Sequence, residues 1–229
     1  MTVNEIKEKL AKKAVVFQTG GIRPTKALLE SWIGCVCWRM PGEELPVDKD
    51  GKAMQPMATF FIKDLLYVPR HLQGIELITV FMSEDVCGHR ECAEEYLCVR
   101  TYNTLEGLEP CDWNSSIMKA FPLVPKLVEN EYPIWDDEGF PVELFEEILR
   151  LEEEEDIEYY EDIAEENYHM HKVGGYPAFI QAGGCFEGYE FAFQISSDEK
   201  ARFNFVDSGQ IYFFYNKETQ DWKMYYDFY

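Results

Sequence analysis

The sequence predicts an α+β fold, a mostly antiparallel β-sheet built from two related β units with an acidic helical insertion between them. Short apolar runs bounded by glycine, proline and aspartate lie on both sides of one acidic stretch that has helical periodicity. At 229 residues, one large domain fits the usual size of a folding unit. We therefore predict a single domain over 1–229, with an N-terminal unit at 14–128, the insertion at 129–168 and a C-terminal unit at 169–229.

The N-terminal unit is predicted to follow a short helix. We expect Asn4 to cap this helix, which would continue to Lys13 and place its lysines near the negative end of the helix dipole. Apolar runs separated by turn signals then predict strands over 14–18, 32–38, 54–62, 75–82 and 96–102. The stretch 117–128 is also extended, but Pro122 and Pro125 remove amide donors, which predicts an edge strand.

The insertion carries most of the negative charge. Between Glu129 and Glu166 there are 18 acidic residues against the single base Arg150, a net charge of −17 out of −22 for the chain. Apolar residues spaced by three and four from Val142 to Tyr168 predict helices. Repulsion between neighbouring carboxylates predicts a helix break near 153–156.

The charge of the insertion restricts the partners that we expect. An acidic surface repels the phosphates of nucleic acid and anionic membrane surfaces, so we expect neither as a partner. It favours a basic protein, and the candidate partner-binding residues are Glu152, Glu153, Glu154, Glu155 and Asp156. A solvating surface with no partner is the alternative explanation of the same charge run.

The C-terminal unit is predicted to be strand-rich and to repeat part of the N-terminal unit. Apolar runs predict strands over 191–195, 210–215 and 222–226. In this half, the glycine segment 174–177 is followed by the strand-like runs 191–195 and 208–214. In the same order, the N-terminal segment 34–38 is followed by the strand-like runs 57–62 and 73–81. Neither half has enough strands for independent stability, so we expect both to share one core.

Several motifs of the C-terminal unit carry a family resemblance. Lys172-Val173-Gly174-Gly175-Tyr176-Pro177 is followed by Gln194-Ile195-Ser196-Ser197-Asp198 and then by Asp207-Ser208-Gly209. In these motifs the chain resembles the YwqG-like family of bacterial proteins, which is distantly similar to the programmed cell death protein 2 group. The resemblance implies a chaperone-like role towards a newly made ribosomal protein.

We interpret the signature residues of this resemblance as structural. They are Lys172, Gly174, Gly175, Pro177, Gln194, Asp198, Asp207 and Gly209. An aspartate before a Ser-Gly step is expected to bond the turn amides through its side chain. The glycine pair before Tyr176-Pro177 is expected to form a bend where backbones approach closely. The chain departs from the family pattern at Phe205-Val206-Asp207, where relatives often have tryptophan and glycine before the aspartate.

One group of residues has the chemistry of a zinc site, but its spacing is unfavourable. Thiolate and imidazole are the ligands that zinc prefers, although structural zinc sites usually contain closely paired ligands. The residues concerned are Cys87, His89, Cys92, Cys98 and Cys111. We expect an ordinary loop there, with no metal and no cofactor bound.

The sequence predicts a binding protein of the cytoplasm. The seven cysteines are an odd number and no secretory leader is recognised, which favours reduced thiols. We therefore expect a non-catalytic protein-binding module, an acidic chaperone-like or toxin-neutralising partner of a basic protein. The alternative is a hydrolase-type enzyme with a carboxylate or Cys/His site, and a pocket that brings Asp198, Asp207 and His171 together would favour it.

Overall fold

The computed structural model describes residues 1–25, 29–88, 90–135, 140–164, 167–181 and 183–229. The α-helices are α1 (Val3–Leu10) and α2 (Val142–Glu155). The strands are β1 (Lys12–Thr19), β2 (Ser31–Ile33), β3 (Cys35–Arg39), β4 (Gln55–Phe61), β5 (Leu77–Met82), β6 (Leu97–Tyr102), β7 (Glu109–Asn114), β8 (Phe121–Glu131), β9 (Lys172–Gly174), β10 (Glu190–Ser196), β11 (Gln210–Asn216) and β12 (Asp221–Asp227). Short 3₁₀ segments cover Arg70–Leu72, Val86–Gly88 and Arg90–Tyr96, and a π-helical turn covers Tyr159–Ile163.

Ten of the strands form one antiparallel sheet in the order β12-β11-β10-β9-β1-β8-β2-β4-β5-β6, and β3 pairs with β7 separately. The sheet curves so strongly that its two halves face each other. Phe60 in β4 and Phe193 in β10 have ring centroids 5.3 Å apart, although β2, β8, β1 and β9 lie between these strands. The mostly antiparallel β architecture predicted from the sequence is confirmed.

The edges of the sheet also approach each other, so the sheet is nearly closed. Lys223 of β12 forms an ion pair with Glu94 at 3.1 Å, and the hydroxyl of Tyr226 donates to the carbonyl oxygen of Cys87 at 3.3 Å. Both partners lie in or beside the 3₁₀ segments that precede β6. The main apolar core fills the space inside the curved sheet, because side chains of the first and second halves belong to one buried cluster.

The helices pack outside this core. A second buried cluster joins the apolar faces of α1, α2 and the π-helical turn, and it contains Ile6, Leu10, Leu144, Ile148, Leu151, Tyr159 and Ile163. The spacing of these residues by three and four explains why each helix buries one face. Neither α-helix in the described ranges has the length and apolar character needed to cross a membrane.

The prediction for the first helix was wrong in its cap and its end. Thr2 is the N-cap, because its hydroxyl accepts the amide of Glu5 while the Glu5 carboxylate accepts the amide of Thr2. The helix ends at Leu10, and the predicted last turn belongs to β1. Reciprocal capping satisfies two amides at once, which explains why the chain uses Thr2 and not Asn4.

The prediction of an edge strand at 117–128 was also wrong. Strand β8 lies near the middle of the sheet, between β1 and β2. However, β2 pairs only with the segment 121–123, whereas β1 pairs along most of β8. Beyond Leu123, therefore, one side of β8 has no strand partner among the described residues, and Pro125 lies in that half.

Of the stretch 142–168 that was predicted to be helical, the described residues form helix α2 over Val142–Glu155 and a π-helical turn over Tyr159–Ile163. Helix α2 ends at Glu155, and Asp156 adopts φ 58°, so the chain breaks where the run of carboxylates predicts it. The charged residues Asp136, Asp137, Glu138, Glu165 and Glu166 lie outside the described residues.

The sheet has the same strand arrangement on both sides of the central β1–β8 pair. The series β2-β4-β5-β6 continues outward from β8, and the series β9-β10-β11-β12 continues outward from β1. The Phe61 amide donates to the Ser31 hydroxyl at 3.0 Å, and in the other series the Ser196 amide donates to Nδ1 of His171 at 3.1 Å. Gly34 and Gly174, each three residues after the acceptor, have φ 79° and φ 75°.

Candidate functional site

Gln194 anchors the signature segment 167–181 to the sheet. Its side chain is fully buried, and Nε2 donates to the Gln210 side-chain oxygen at 2.7 Å and to the Met170 carbonyl at 3.0 Å. Its Oε1 accepts the Ala178 amide at 3.0 Å, while Gln210 donates to the Ala178 carbonyl at 2.8 Å. The two glutamines therefore satisfy buried backbone groups that no strand partner reaches.

Lys172 forms an ion pair with Glu131 in which both side chains are fully buried. Glu131 also accepts the amide of Tyr176 at 2.9 Å. Gly175, with φ 74°, lies against the same carboxylate, and a Cβ there would be 1.7 Å from Oε2 of Glu131. A glycine is required at this position because the chain wraps closely around a buried charge.

Gly174 and Pro177 complete the glycine segment. A Cβ on Gly174 would lie 2.9 Å from Cγ of Pro69, so this glycine permits close packing of β9. Pro177 follows Tyr176, whose hydroxyl donates to the Leu10 carbonyl at 2.7 Å and so ties the bend to α1. The predicted glycine bend is therefore a close approach of three parts of the chain.

His171, which is buried, and Asp198, which is half-buried, form a second polar pair. Nδ1 of His171 accepts the Ser196 amide, so the proton of the neutral imidazole lies on Nε2, which is 3.2 Å from Oδ2 of Asp198. Asp198 also accepts the hydroxyl of Thr19 and the amide of Ala201. Burial alone would raise the pKa of Asp198, but the hydrogen bonds from His171, Thr19 and Ala201 outweigh it and lower that pKa.

Asp207 does not join this pair and does not bond the turn amides as predicted. Its side chain is exposed, and its carboxylate makes no hydrogen bond to any described residue. The turn is instead held by Asn204, whose side-chain oxygen accepts the Ser208 amide at 2.9 Å. Gly209 is buried, and a Cβ there would be 2.5 Å from the Asp227 carbonyl oxygen.

The acidic end of α2 lies on the surface. Glu153, Glu154, Glu155 and Asp156 are exposed and Glu152 is half-buried. Glu154 pairs with Arg150, whereas the other four carboxylates form no ion pair with the described part of the chain. No basic residue lies in the last turn of the helix, where the helix dipole favours positive charge.

The candidate zinc ligands are only partly described. Cys87 is exposed, whereas Cys98 and Cys111 pack against a buried cluster that contains Phe81. Burial raises the pKa of both packed thiols, and that of Cys111 to about 11. His89 and the side chain of Cys92 lie outside the described residues, and no metal-ligating cluster of three or more groups occurs among the rest.

A cleft of about 470 Å³ lies beside the glycine bend, and the sequence analysis did not predict it. Its lining includes Lys12, His71, Gly175, Tyr176, Cys185 and Glu190. These residues are distant in sequence, so no spacing rule relates them. Only Gly174-Gly175, predicted as a close approach of backbones, signalled this region.

The charges in the cleft influence one another. The Lys12 ammonium lies 3.9 Å from the centroid of the Tyr176 ring. Although much of the Lys12 side chain is exposed, surrounding protein atoms displace water from its ammonium and lower its pKa, against the attraction of Glu190 and Glu131. Burial lowers the pKa of His71, whose Nδ1 is 3.5 Å from Oε2 of Glu190.

The fold and these sites define a mostly antiparallel β protein in which a buried polar network holds a glycine-rich signature segment against one half of a curved sheet. The family model described as Domain of unknown function (DUF1963) matches residues 38–225. The chain belongs to this family. Among curated proteins, none matches the sequence.

Proposed function

We propose that the protein is a non-catalytic protein-binding module that uses the acidic end of α2 to attract a basic protein. The observation that supports this proposal is a set of carboxylates, at Glu152, Glu153, Glu155 and Asp156, that form no ion pair with the residues that the structure describes. At the negative end of a helix they reduce its stability, both through the helix dipole and through mutual repulsion. Residues that destabilise the folded protein are candidates for a functional role.

The partner in this proposal is a basic protein bound in a chaperone-like or toxin-neutralising role. The location is the cytoplasm, and neither nucleic acid nor membrane is a partner. The net charge of −22 supports this choice, because it repels phosphate-rich surfaces and accelerates encounters with basic ones.

We further propose that the chain is a YwqG-like protein that arose by internal duplication, with the acidic stretch inserted between the two units. The matching strand series on both sides of the β1–β8 pair support the duplication. The amide bonds from Phe61 to Ser31 and from Ser196 to His171 occupy equivalent places in the two series. The buried network around Gln194 and Lys172 supports a structural role for the signature residues.

Affinity capture with two charge-matched variants tests the binding proposal. The first variant, E152Q/E153Q/E155Q/D156N, neutralises the acidic end of α2. The control, E8Q/E44Q/E106Q/E199Q, removes the same number of charges from exposed residues scattered over the surface. The wild type and the control should capture the same basic proteins from a native cytoplasmic extract at low salt, and the α2 variant should lose them. Equal losses from both variants would show that only net charge matters.

The alternative function is a hydrolase-type enzyme with a Cys/His site. It is supported by one observation, that Cys185, His71 and Glu190 line the same cleft. A histidine oriented by a carboxylate can activate a thiol as a nucleophile. Activation predicts that iodoacetamide alkylates Cys185 at neutral pH faster than it alkylates free cysteine, and that His71→Gln abolishes the difference. If the two rates are equal in the wild type, the alternative is rejected.

A further inference from the structure

Two thiols in β3 lie unusually close together. The Sγ atoms of Cys35 and Cys37 are 3.4 Å apart. In a regular strand, side chains two residues apart share a face, but their Cα atoms are about 6.6 Å apart, near the upper limit for a disulfide. The register between β3 and β7 shifts between Val36 and Trp38. The extra residue of this irregularity lies in β7, so Cys111 and Asp112 together stand opposite Cys37.

We propose that Cys35 and Cys37 form a reversible intramolecular disulfide, a modification site that reacts with small disulfides of the glutathione class. Neither residue is in a disulfide in this structure. The two side chains differ in access, since Cys35 is buried and Cys37 is half-buried. Cys37 is therefore the thiol that an external disulfide reaches first, and Cys35 is the protected thiol that completes the reaction.

The reaction proceeds by two thiol–disulfide exchanges. The Cys37 thiolate attacks one sulfur of the small disulfide, forms a mixed disulfide and releases the first small thiolate. The Cys35 thiolate then attacks the Cys37 sulfur and displaces the second small thiolate. The protein loses two protons and two electrons, and the small disulfide is reduced to two thiols.

Cys111 is a competing thiol. It lies on the paired strand β7, and its Sγ is 3.3 Å from the Val36 carbonyl oxygen. Because burial raises the pKa of Cys111 to about 11, it is protonated at neutral pH and is a poor nucleophile. The product expected is therefore the bond within β3 and not a bond between the two strands.

A disulfide between residues two apart in a strand closes a small, strained ring and is expected to be easily reduced. Strained disulfides have higher reduction potentials than structural ones, so they respond to changes in the thiol–disulfide balance. The site would thus be oxidised only when small disulfides are abundant.

Peptide mapping of the full-length protein tests this proposal. The protein is incubated with oxidised glutathione, the remaining thiols are alkylated, and the peptides are analysed by mass spectrometry without reduction. The peptide that contains Cys35 and Cys37 should be lighter by two hydrogens and should carry no alkyl group. Addition of dithiothreitol before alkylation should restore both alkylation sites.

Two variants separate the competing products. In Cys111→Ser the oxidised peptide should form as in the wild type, whereas in Cys35→Ser a glutathione adduct should remain on Cys37. Alkylation of both Cys35 and Cys37 in the wild type would overturn the proposal, as would a peptide linking Cys37 to Cys111. Because the wild-type mapping decides between these products, the conclusion does not depend on the folding of either variant.

Discussion

At Val206 the backbone has φ 55°, a conformation that β-branched residues rarely adopt. This is the position where the sequence departs from the YwqG-like pattern, which often has glycine there. The Val206 side chain is exposed, so the surrounding core gains little from its presence. The valine at this position therefore has a local energetic cost.

Replacement of Val206 by glycine should stabilise the protein. The left-handed conformation costs an L-residue roughly 1–2 kcal/mol. Glycine removes this cost, but its greater flexibility in the unfolded chain offsets part of the gain in stability. We expect the free energy of unfolding, measured in urea, to rise by about 1 kcal/mol. The free energy of unfolding of Val206→Ala should rise less, because alanine keeps the Cβ. A glycine variant less stable than the wild type would contradict this account.

Gly175→Ala should be strongly destabilising. The new Cβ would overlap the buried Glu131 carboxylate, and the positive φ adds backbone strain, so we expect a loss of about 3 kcal/mol in the free energy of unfolding. Gly42→Ala is the matched control, because its φ is 83° but nothing lies within 4 Å of the new Cβ. The control should lose only about 1 kcal/mol. Equal losses would refute the close packing of Gly175 on Glu131.

Asp198 should make stability depend on acid pH. Because the folded state lowers its pKa, the stabilisation is fully present above the ordinary aspartate value of about 3.9 and is lost as the pH falls through and below that value. Asp198→Asn should flatten this part of the stability profile, measured by urea unfolding between pH 6 and the acid limit of folding. If the folded state does not lower the pKa of Asp198, the stability profiles of the wild type and of Asp198→Asn should be parallel.

Among the secondary-structure elements, the sequence predicts best those strands whose limits are set by residues close in sequence. The predictions for β4, β5, β11 and β12 follow apolar runs bounded by turns, and the structure places strands there. The short strand β9 was not predicted because three residues carry no periodicity. Whether β8 lies at an edge or inside the sheet depends on how far β2 extends beside it. Pro122 and Pro125 carry no information about the length of β2.

The helix ends, unlike the position of β8, depend on residues close in sequence. The sequence contains Thr2 and Glu5 at the spacing of a capping box, so the correct N-terminus of α1 was readable from it. The break after α2 was also readable, because charge repulsion acts between near neighbours in sequence. By contrast, the contact of His71 with Glu190 and the pairing of Lys172 with Glu131 depend on long-range packing.

Neutralising the acidic end of α2 should stabilise the folded protein. The variant E152Q/E153Q/E155Q/D156N removes unfavourable charge from the negative end of the helix, so its melting temperature should rise by a few degrees at low salt. The rise should shrink at high salt, where the charges are screened. A lower melting temperature at low salt would mean that these carboxylates stabilise the fold, and it would remove the argument for a role outside folding.

At the scale of the whole molecule, a nearly closed sheet and one shared core explain why neither half is expected to fold alone. Phe17, Phe60 and Phe193 meet inside the sheet, although they belong to its centre and to both flanking series. The sequence repeat predicted a common core, but the curvature that creates it comes from contacts between distant strands. The negative charge, by contrast, is concentrated in the stretch 129–166, whose helix α2 packs outside this core.

The separation of core and charge leads to the central claim, that the acidic end of α2 binds a basic partner. The most direct measurement is the dissociation constant of the captured partner as a function of ionic strength, for the wild type and the α2 variant. We predict that wild-type affinity falls steeply with salt, and that the variant binds weakly with a shallow dependence. Equal affinities and equal salt dependences for the two proteins would contradict the claim.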